Sequence, residues 1–432
     1  MFFQKMSMSY SRLKSDEESL LDEENILQEE KVAEDYVTSI GIRNRRSPIE
    51  LIVFIIIFSF VILSCVLTTL HIISVPPNST KEENDNSQCK FGQYFENDEG
   101  HYKYPSYERI TNAMKDIEIC LANTNNVSIE TIGHSVENNP IQLIQISPSG
   151  QLKNNESNPL VWVVCGVHAR EWTVPYTCLQ FLFKLVDIFL SGEDKFFSLL
   201  RFNFIVVANP DGYIYSMSTE NRRMTRKNRH IGFCPDPDHD GVDLNRNFGV
   251  GFELSDCKYL GFPGNCNCLA TYAGPSAFSE PESRTIRDAM SQDVPWLALS
   301  VHGNAQFWTY PYAYKSMAAP LVHSDDMKNV VKSIKNKFGT IYNVGFTSAA
   351  ISKRYGYIQK TGGTLSDWTY EHLNVTRTFV HELKSLHKDD ADGFDHFQPP
   401  LHEVNRDIVP EAWYGFKTLI ELSYEHDKAN NY

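Results

Sequence analysis

The sequence predicts an α/β domain built on a mixed, mostly parallel twisted sheet with helices on both faces, because strand-like and helix-like segments alternate along it. Continuous apolar runs of strand length recur at Leu160 to Val164, Phe202 to Ala208 and Leu297 to His302, as in strands buried on both faces. Segments with helical apolar spacing stand around them, at Tyr107 to Leu121, Trp172 to Leu190, 324 to 338 and Ala412 to Tyr424. Two of the strand-like runs lead into histidines, His168 and His302. In sheets of this kind ligands collect at the carboxyl ends of strands.

Ahead of that pattern the chain has a different character. Residues 1–48 are charge-rich and acidic, with Asp16, Glu17, Glu18, Asp22, Glu23 and Glu24 close together, and are expected to be a disordered tail. Residues 51–75 form an apolar run without charge, long enough to cross a bilayer. The run starts too far from the N-terminus and is too long for an ordinary cleaved signal peptide, so a retained transmembrane helix is expected before the domain. Arg43, Arg45 and Arg46 precede it and a net acidic stretch follows, which places the tail in the cytosol and the rest outside or in a lumen. The chain is thus expected to be a single-pass type II membrane protein.

Two further patterns agree with that orientation. The sequons at Asn78, Asn126, Asn155 and Asn374 all lie after the apolar run. So do eight of the nine cysteines. Cys234, Cys257, Cys266 and Cys268 cluster in a polar segment and read as two disulfides, with a four-cysteine zinc site as the alternative. Cys165 and Cys178 are expected to be buried thiols or a local pair, while Cys89 and Cys120 could pin the start of the domain. An acidic dileucine pattern, Asp16-Glu17-Glu18-Ser19-Leu20-Leu21, resembles an endolysosomal sorting signal, which leaves the plasma membrane or an endolysosomal membrane as destination. A net charge of −14, with no basic stripe, argues against nucleic acid as a partner.

After a polar linker at 76–100 the α/β pattern holds through 101–430. Ile141 to Ser147 alternates as a strand, Arg377 to Leu383 reads as another, and no internal repeat is visible.

His168 and Glu171 stand three residues apart just past an apolar run, a spacing that suits one metal ion. Zinc accepts imidazole nitrogen and carboxylate oxygen together, and a catalytic zinc needs three protein ligands with a fourth position left for water. With fourteen histidines, about one such His-x-x-Glu pair arises by chance at ordinary glutamate usage, and His134 to Glu137 is read as that one, in a surface loop. His302, closing its own strand, is the natural third ligand.

The company of these residues decides between metal and solvent. Asn209-Pro-Asp-Gly-Tyr213, Arg223-Met-Thr-Arg226-Lys-Asn-Arg229, Val242-Asp-Leu-Asn245-Arg246-Asn247-Phe248 and Tyr310-Pro-Tyr312 follow in order. From about Tyr104 to His426 the chain resembles the zinc metallocarboxypeptidases of the pancreatic A/B type. That resemblance implies a carboxypeptidase-like fold, one Zn2+ per chain held by His168, Glu171 and His302, and Asp243 orienting an imidazole from the second shell of ligands. It implies that Asn245 and Arg246 bind the terminal carboxylate of a peptide or protein, a task for which a guanidinium offers two parallel charge-assisted bonds. Arg226 would polarise the scissile carbonyl, Arg223 would contact the peptide further out, and Glu382, in Phe379-Val-His-Glu-Leu, would be the general base.

Departures from the family pattern bear on specificity. Where a capping tyrosine is expected stands Ile358, with Tyr357 beside it, so a shift of one residue would let Tyr357 serve. The stretch Gly362-Gly-Thr-Leu-Ser-Asp367-Trp368 carries one extra residue, which puts Ser366 or Leu365 at the selectivity position. Neither is charged, and apolar or aromatic C-terminal residues are the expected substrates. Asn304 replaces a tyrosine and His381 an aromatic. With only a short linker ahead of the domain, no inhibitory prosegment and no proteolytic activation are expected. The implied function is a membrane-anchored zinc carboxypeptidase; the alternatives are a catalytically inactive, membrane-tethered peptide-binding protein and a zinc amidase or endopeptidase.

Overall fold

The apolar runs become strands of one eight-stranded sheet in a computed structural model that describes residues 103–122, 127–148, 158–255, 266–319, 324–350, 360–386 and 397–430. All of them belong to one unit, Asp85–Tyr432. The acidic tail, the 51–75 segment, the 76–100 linker and the sequons at Asn78, Asn126 and Asn155 lie outside the described residues.

The strands are β1 (Val127–His134), β2 (Pro140–Ile146), β3 (Leu160–Val164), β4 (Arg201–Ile205), β5 (Leu297–Gly303), β6 (Phe307–Tyr310), β7 (Asn343–Phe346) and β8 (Thr378–Leu383). Their order is β1-β2-β4-β3-β5-β8-β6-β7. The central ribbon β4-β3-β5-β8 is parallel throughout, as is β6-β7, whereas β1-β2, β2-β4 and β6-β8 are antiparallel. The sheet is therefore mixed, with its parallel part at the centre.

Alternation along β3 divides the interior into two cores. Val161 and Val163 face a layer made by α1 (Tyr107–Cys120), α2 (Thr173–Ser191), α5 (Ser324–Phe338) and α7 (Val409–Asn430), where Leu179, Phe181, Val330 and Phe416 are buried. Leu160, Trp162 and Val164 face the other layer, with Ile286 and Met290 of α4 (Pro281–Gln292) and Leu365 and Trp368 of α6 (Leu365–His372). Only a strand covered on both faces needs a run as uniformly apolar as Leu160–Val164. Helix α2 is long and apolar enough to cross a membrane, but most of it is buried here. It is a core helix, ended by Gly192 in the left-handed conformation at φ 62°.

The local signals that start the helices are side-chain caps. Ser106 accepts from the Arg109 amide ahead of α1, and Thr364 accepts from the Asp367 amide ahead of α6. Asn209 accepts from the Gly212 amide ahead of α3 (Pro210–Ser218), with proline at the first helical position, where no amide hydrogen is needed. Two disulfides are defined, Cys165–Cys178 and Cys234–Cys268, and Cys120 and Cys266 are disulfide-bonded as well. The local pair, not two buried thiols, is thus the state of Cys165 and Cys178. The cysteine cluster is disulfide chemistry as far as it is described, Cys257 lying outside. His134 is the last residue of β1 and Glu137 sits in the turn after it, and among the described residues neither belongs to a group that could hold a metal ion.

Candidate active site

Three neighbouring parallel strands, β3, β5 and β8, deliver the site from their carboxyl ends. Past β3 the chain turns through Gly166 at φ 64°, where an added Cβ would meet the Val206 carbonyl at 2.9 Å, so glycine is required for the turn. The amides of Ala208 and Asn209 bond the carbonyls of Cys165 and Gly166, and the Ala169 amide bonds the Arg226 carbonyl. This loop presents His168 and Glu171. His302 lies one residue from the end of β5, and its partner in the parallel register of β8 is Glu382.

His168, Glu171 and His302 converge, with ligand atoms all within 4.8 Å of one another. His168 Nδ1 lies 2.8 Å from Glu171 Oε1, His302 Nδ1 lies 3.1 Å from His168 Nδ1, and His302 Nδ1 lies 3.5 Å from Glu171 Oε2. All three residues are buried, at 4%, 4% and 1% exposure. The outer imidazole nitrogens are also provided for. His168 Nε2 lies 3.2 Å from Asp243 Oδ1, and His302 Nε2 lies 2.9 Å from Ser300 Oγ and 3.4 Å from Asn245 Nδ2. Two imidazoles with inner nitrogens converging on a carboxylate and outer nitrogens held by oxygens match what zinc asks of protein ligands. The residues present therefore fit zinc. Burial alone would raise the Glu171 carboxyl, but His168 and His302 beside it outweigh burial and hold it well below its usual range.

Asp243 does more than orient an imidazole. Its second oxygen accepts from Arg226 Nε at 2.9 Å, and the Arg226 Nη1 lies 3.8 Å from Glu171. Burial would raise this carboxyl as well; Arg226, Arg246 and His168 together hold it well below the usual carboxylate range. Burial would lower the Arg226 pKa, but Asp243 and Glu171 overcome it and raise it. Burial lowers the Arg246 pKa, with Asp243 opposing. For Glu382 burial is the largest influence and raises the carboxyl, Glu171 adds to it, and His302 opposes. The Ala305 amide donates to Glu382 Oε2 at 3.4 Å.

Asn245 and Arg246 sit in a short turn that Asp243 caps through the Asn245 amide. The same turn is laced to the segment before α6: Leu365 N donates to Asn245 Oδ1 at 3.0 Å, and Phe248 N donates to the Gly363 carbonyl at 3.0 Å. A Cβ at Gly363 would lie 1.9 Å from the Arg246 carbonyl, which only glycine avoids. Ser366 and Leu365 line a small cavity with Ser300, Trp162, Thr369 and Thr378, and its described lining carries no charge. Ser300 and His302 share one face of β5, which sets this cavity beside the metal group.

The expected outer peptide contact is Arg223. It is 2% exposed, and its guanidinium is spent on protein acceptors at Gln398 Oε1, the Arg170 carbonyl and the Phe397 carbonyl. Tyr357 and Ile358 lie outside the described residues. Ser300 was missed; its signal was its place two residues before His302 in a strand, hence on the same face.

A family model described as zinc carboxypeptidase matches residues 112–413. Among curated proteins, carboxypeptidase A2 of Mus musculus is 29% identical over 337 residues, covering 75% of this chain and 72% of the relative. Mast cell carboxypeptidase A of Rattus norvegicus is 31% identical over 269 residues, 61% of this chain and 60% of that one. In fold, the chain is similar to the carboxypeptidase A of Helicoverpa armigera, with a TM-score of 0.60, 24% identity and 74% of each chain covered. It is likewise similar to bovine thrombin-activatable fibrinolysis inhibitor, solved with a tick carboxypeptidase inhibitor, with a TM-score of 0.59 and 23% identity over 75% of this chain and 98% of that one.

Proposed function

The chain belongs to the zinc carboxypeptidase family and is a metallocarboxypeptidase hydrolase, and we propose that it removes single C-terminal residues from peptides and proteins with one zinc ion per chain. His168, Glu171 and His302 would hold that ion. When bound, zinc supplies Lewis acidity, which acidifies water and polarises a carbonyl.

The remaining steps fall to the chain's own groups. Glu382, level with His302, takes a proton from water and returns it to the leaving amine. A carboxyl raised by burial is suited to that exchange, since it both accepts and releases a proton readily. Arg226 donates to the oxygen on which charge develops, and the Asp243 carboxylate keeps its guanidinium beside Glu171. Asn245 and Arg246 receive the terminal carboxylate, which measures the distance from chain end to scissile bond. The preference for apolar or aromatic terminal side chains rests on the sequence, where uncharged Ser366 or Leu365 stands at the selectivity position; the cavity those two residues line has room for about one water and is not itself the side-chain pocket. Tyr357 would cap the bound residue.

The observation that carries this reading is the convergence of His168, Glu171 and His302 beside Glu382, with both outer imidazole nitrogens held. The 51–75 run supports an anchored enzyme whose catalytic domain, at 101–430, faces outward or into a lumen. The sequon at Asn374 supports glycosylation there, since that residue is exposed two residues past the end of α6. The test is a set of peptides that differ only in their last residue, each as free acid and as amide, with product masses followed. Loss of one residue from the free acids alone, fastest after apolar or aromatic ends, is expected; equal cleavage of the amides or internal cuts would contradict it.

A further inference from the structure

Glu171 is the carboxylate of the proposed metal group, and one side chain holds both of its neighbours, one by its backbone and the other by its ring. Arg223 Nη1 donates to the carbonyl of Arg170 at 2.7 Å, and the guanidinium carbon lies 3.6 Å from the centre of the Trp172 ring. Arg170 and Trp172 are the residues immediately before and after Glu171. The other nitrogens of Arg223 reach a distant part of the chain: Nε donates to Gln398 Oε1 at 2.8 Å and Nη2 to the Phe397 carbonyl at 2.8 Å.

These contacts are made at a cost. Arg223 is 2% exposed, its three acceptors are all uncharged oxygens, and burial lowers its pKa to about 10. A buried cation without a counter-carboxylate is unfavourable unless its hydrogen bonds are worth more than the hydration given up. The guanidinium can meet three acceptors in its plane while stacking on an indole, which a lysine ammonium cannot do. Trp172 is itself fixed, by its Nε1 donating to Ser216 Oγ at 2.9 Å and by the Tyr104 ring against its edge. Two of these contacts, to the Arg170 carbonyl and the Trp172 ring, fall on the neighbours of Glu171 and bear on where its carboxylate stands.

We propose that Arg223 is a positioning residue for the metal, holding the Arg170 peptide unit and the Trp172 ring so that the Glu171 carboxylate is fixed in place before zinc arrives. The inference rests on the reading that His168, Glu171 and His302 hold zinc. Groups that orient a metal ligand from outside commonly account for about 10- to 100-fold in metal affinity.

The test uses the full chain as wild type, Arg223→Lys and Trp172→Leu, with zinc alone titrated against a chromogenic chelator. Both variants are expected to bind zinc about 10- to 100-fold more weakly than wild type, while KM for a peptide at saturating zinc stays unchanged. Equal zinc affinity with a raised KM in Arg223→Lys would overturn the inference and return Arg223 to the peptide. Should Arg223→Lys fail to fold by circular dichroism, Trp172→Leu, which removes only the stacking face, decides by the same zinc titration. Absence of zinc binding from wild type would instead sink the metal reading itself, and this inference with it.

Discussion

His302 and Glu382 are register partners across the parallel pair β5-β8, so the third proposed metal ligand and the proposed base project at one level from neighbouring strand ends. The spacing between them is set by the sheet, not by a loop, and should survive substitution of either side chain. Glu382→Gln is therefore expected to keep zinc and KM near wild type while kcat falls by about 10²- to 10⁴-fold, the range for loss of a positioned base. Steady-state kinetics beside a zinc assay checks this. Loss of zinc from the variant would show that Glu382 acts on the metal instead.

Asp243 divides its two oxygens between His168 and Arg226. Two substitutions separate these duties. Asp243→Asn keeps an oxygen for the imidazole but turns an amide toward the guanidinium, so it should retain zinc better than Asp243→Ala while losing activity. Asp243→Ala should weaken zinc by about 10- to 100-fold. If the two variants lose zinc equally, the bond to His168 does not support the metal.

Arg246 is proposed to grip the substrate's end. Hydrogen bonds to charged groups are worth about 1.5–3 kcal/mol, so Arg246→Ala should lower kcat/KM by roughly 10- to 100-fold for a peptide acid and leave the residual rate on its amide unchanged. A parallel loss on both substrates would assign Arg246 to the chemistry.

His381 tests how the chain tolerates acid. The residue is fully buried, lies flat against Trp308 with ring centres 3.8 Å apart, and neither ring nitrogen has a hydrogen-bond partner. Burial pushes its pKa down to about 3. The unfolded chain takes up this proton near pH 6.5 and the folded chain does not until about pH 3, so stability falls as pH drops between those values. His381→Phe keeps a flat ring against Trp308 and removes the titration. Its Tm should gain on wild type progressively from pH 7 to pH 4; a constant difference would mean that the proton is accommodated elsewhere.

What could be read in the sequence follows from physics that acts locally. Leu160–Val164 and Leu297–Gly303 announce themselves because central parallel strands must be apolar on both faces, and His302 stands out against such a background. Helices α5 and α7 were legible from their apolar spacing. Strands β6 and β7 were not: four residues each are too few for a period to show. Helix α6 was hidden for a related reason, since it is eight residues long and is fixed by the Thr364 cap and by the bond from the Leu365 amide to Asn245 Oδ1, which no local pattern reports. The proposed metal ligands stand out through motifs, and the structure brings His168, Glu171 and His302 together. Arg223 sat in a motif too, but its burial under the Phe397 and Gln398 carbonyl and amide depends on residues far along the chain, and only the fold brings them together.

The most direct measurement is the mass of one unblocked peptide with an apolar C-terminal residue, incubated with the full chain as isolated, after zinc removal, and after zinc is restored. The account predicts loss of one terminal residue in the first and third cases and an intact peptide in the second. An intact peptide in all three, with zinc measurably bound to the protein, would contradict it.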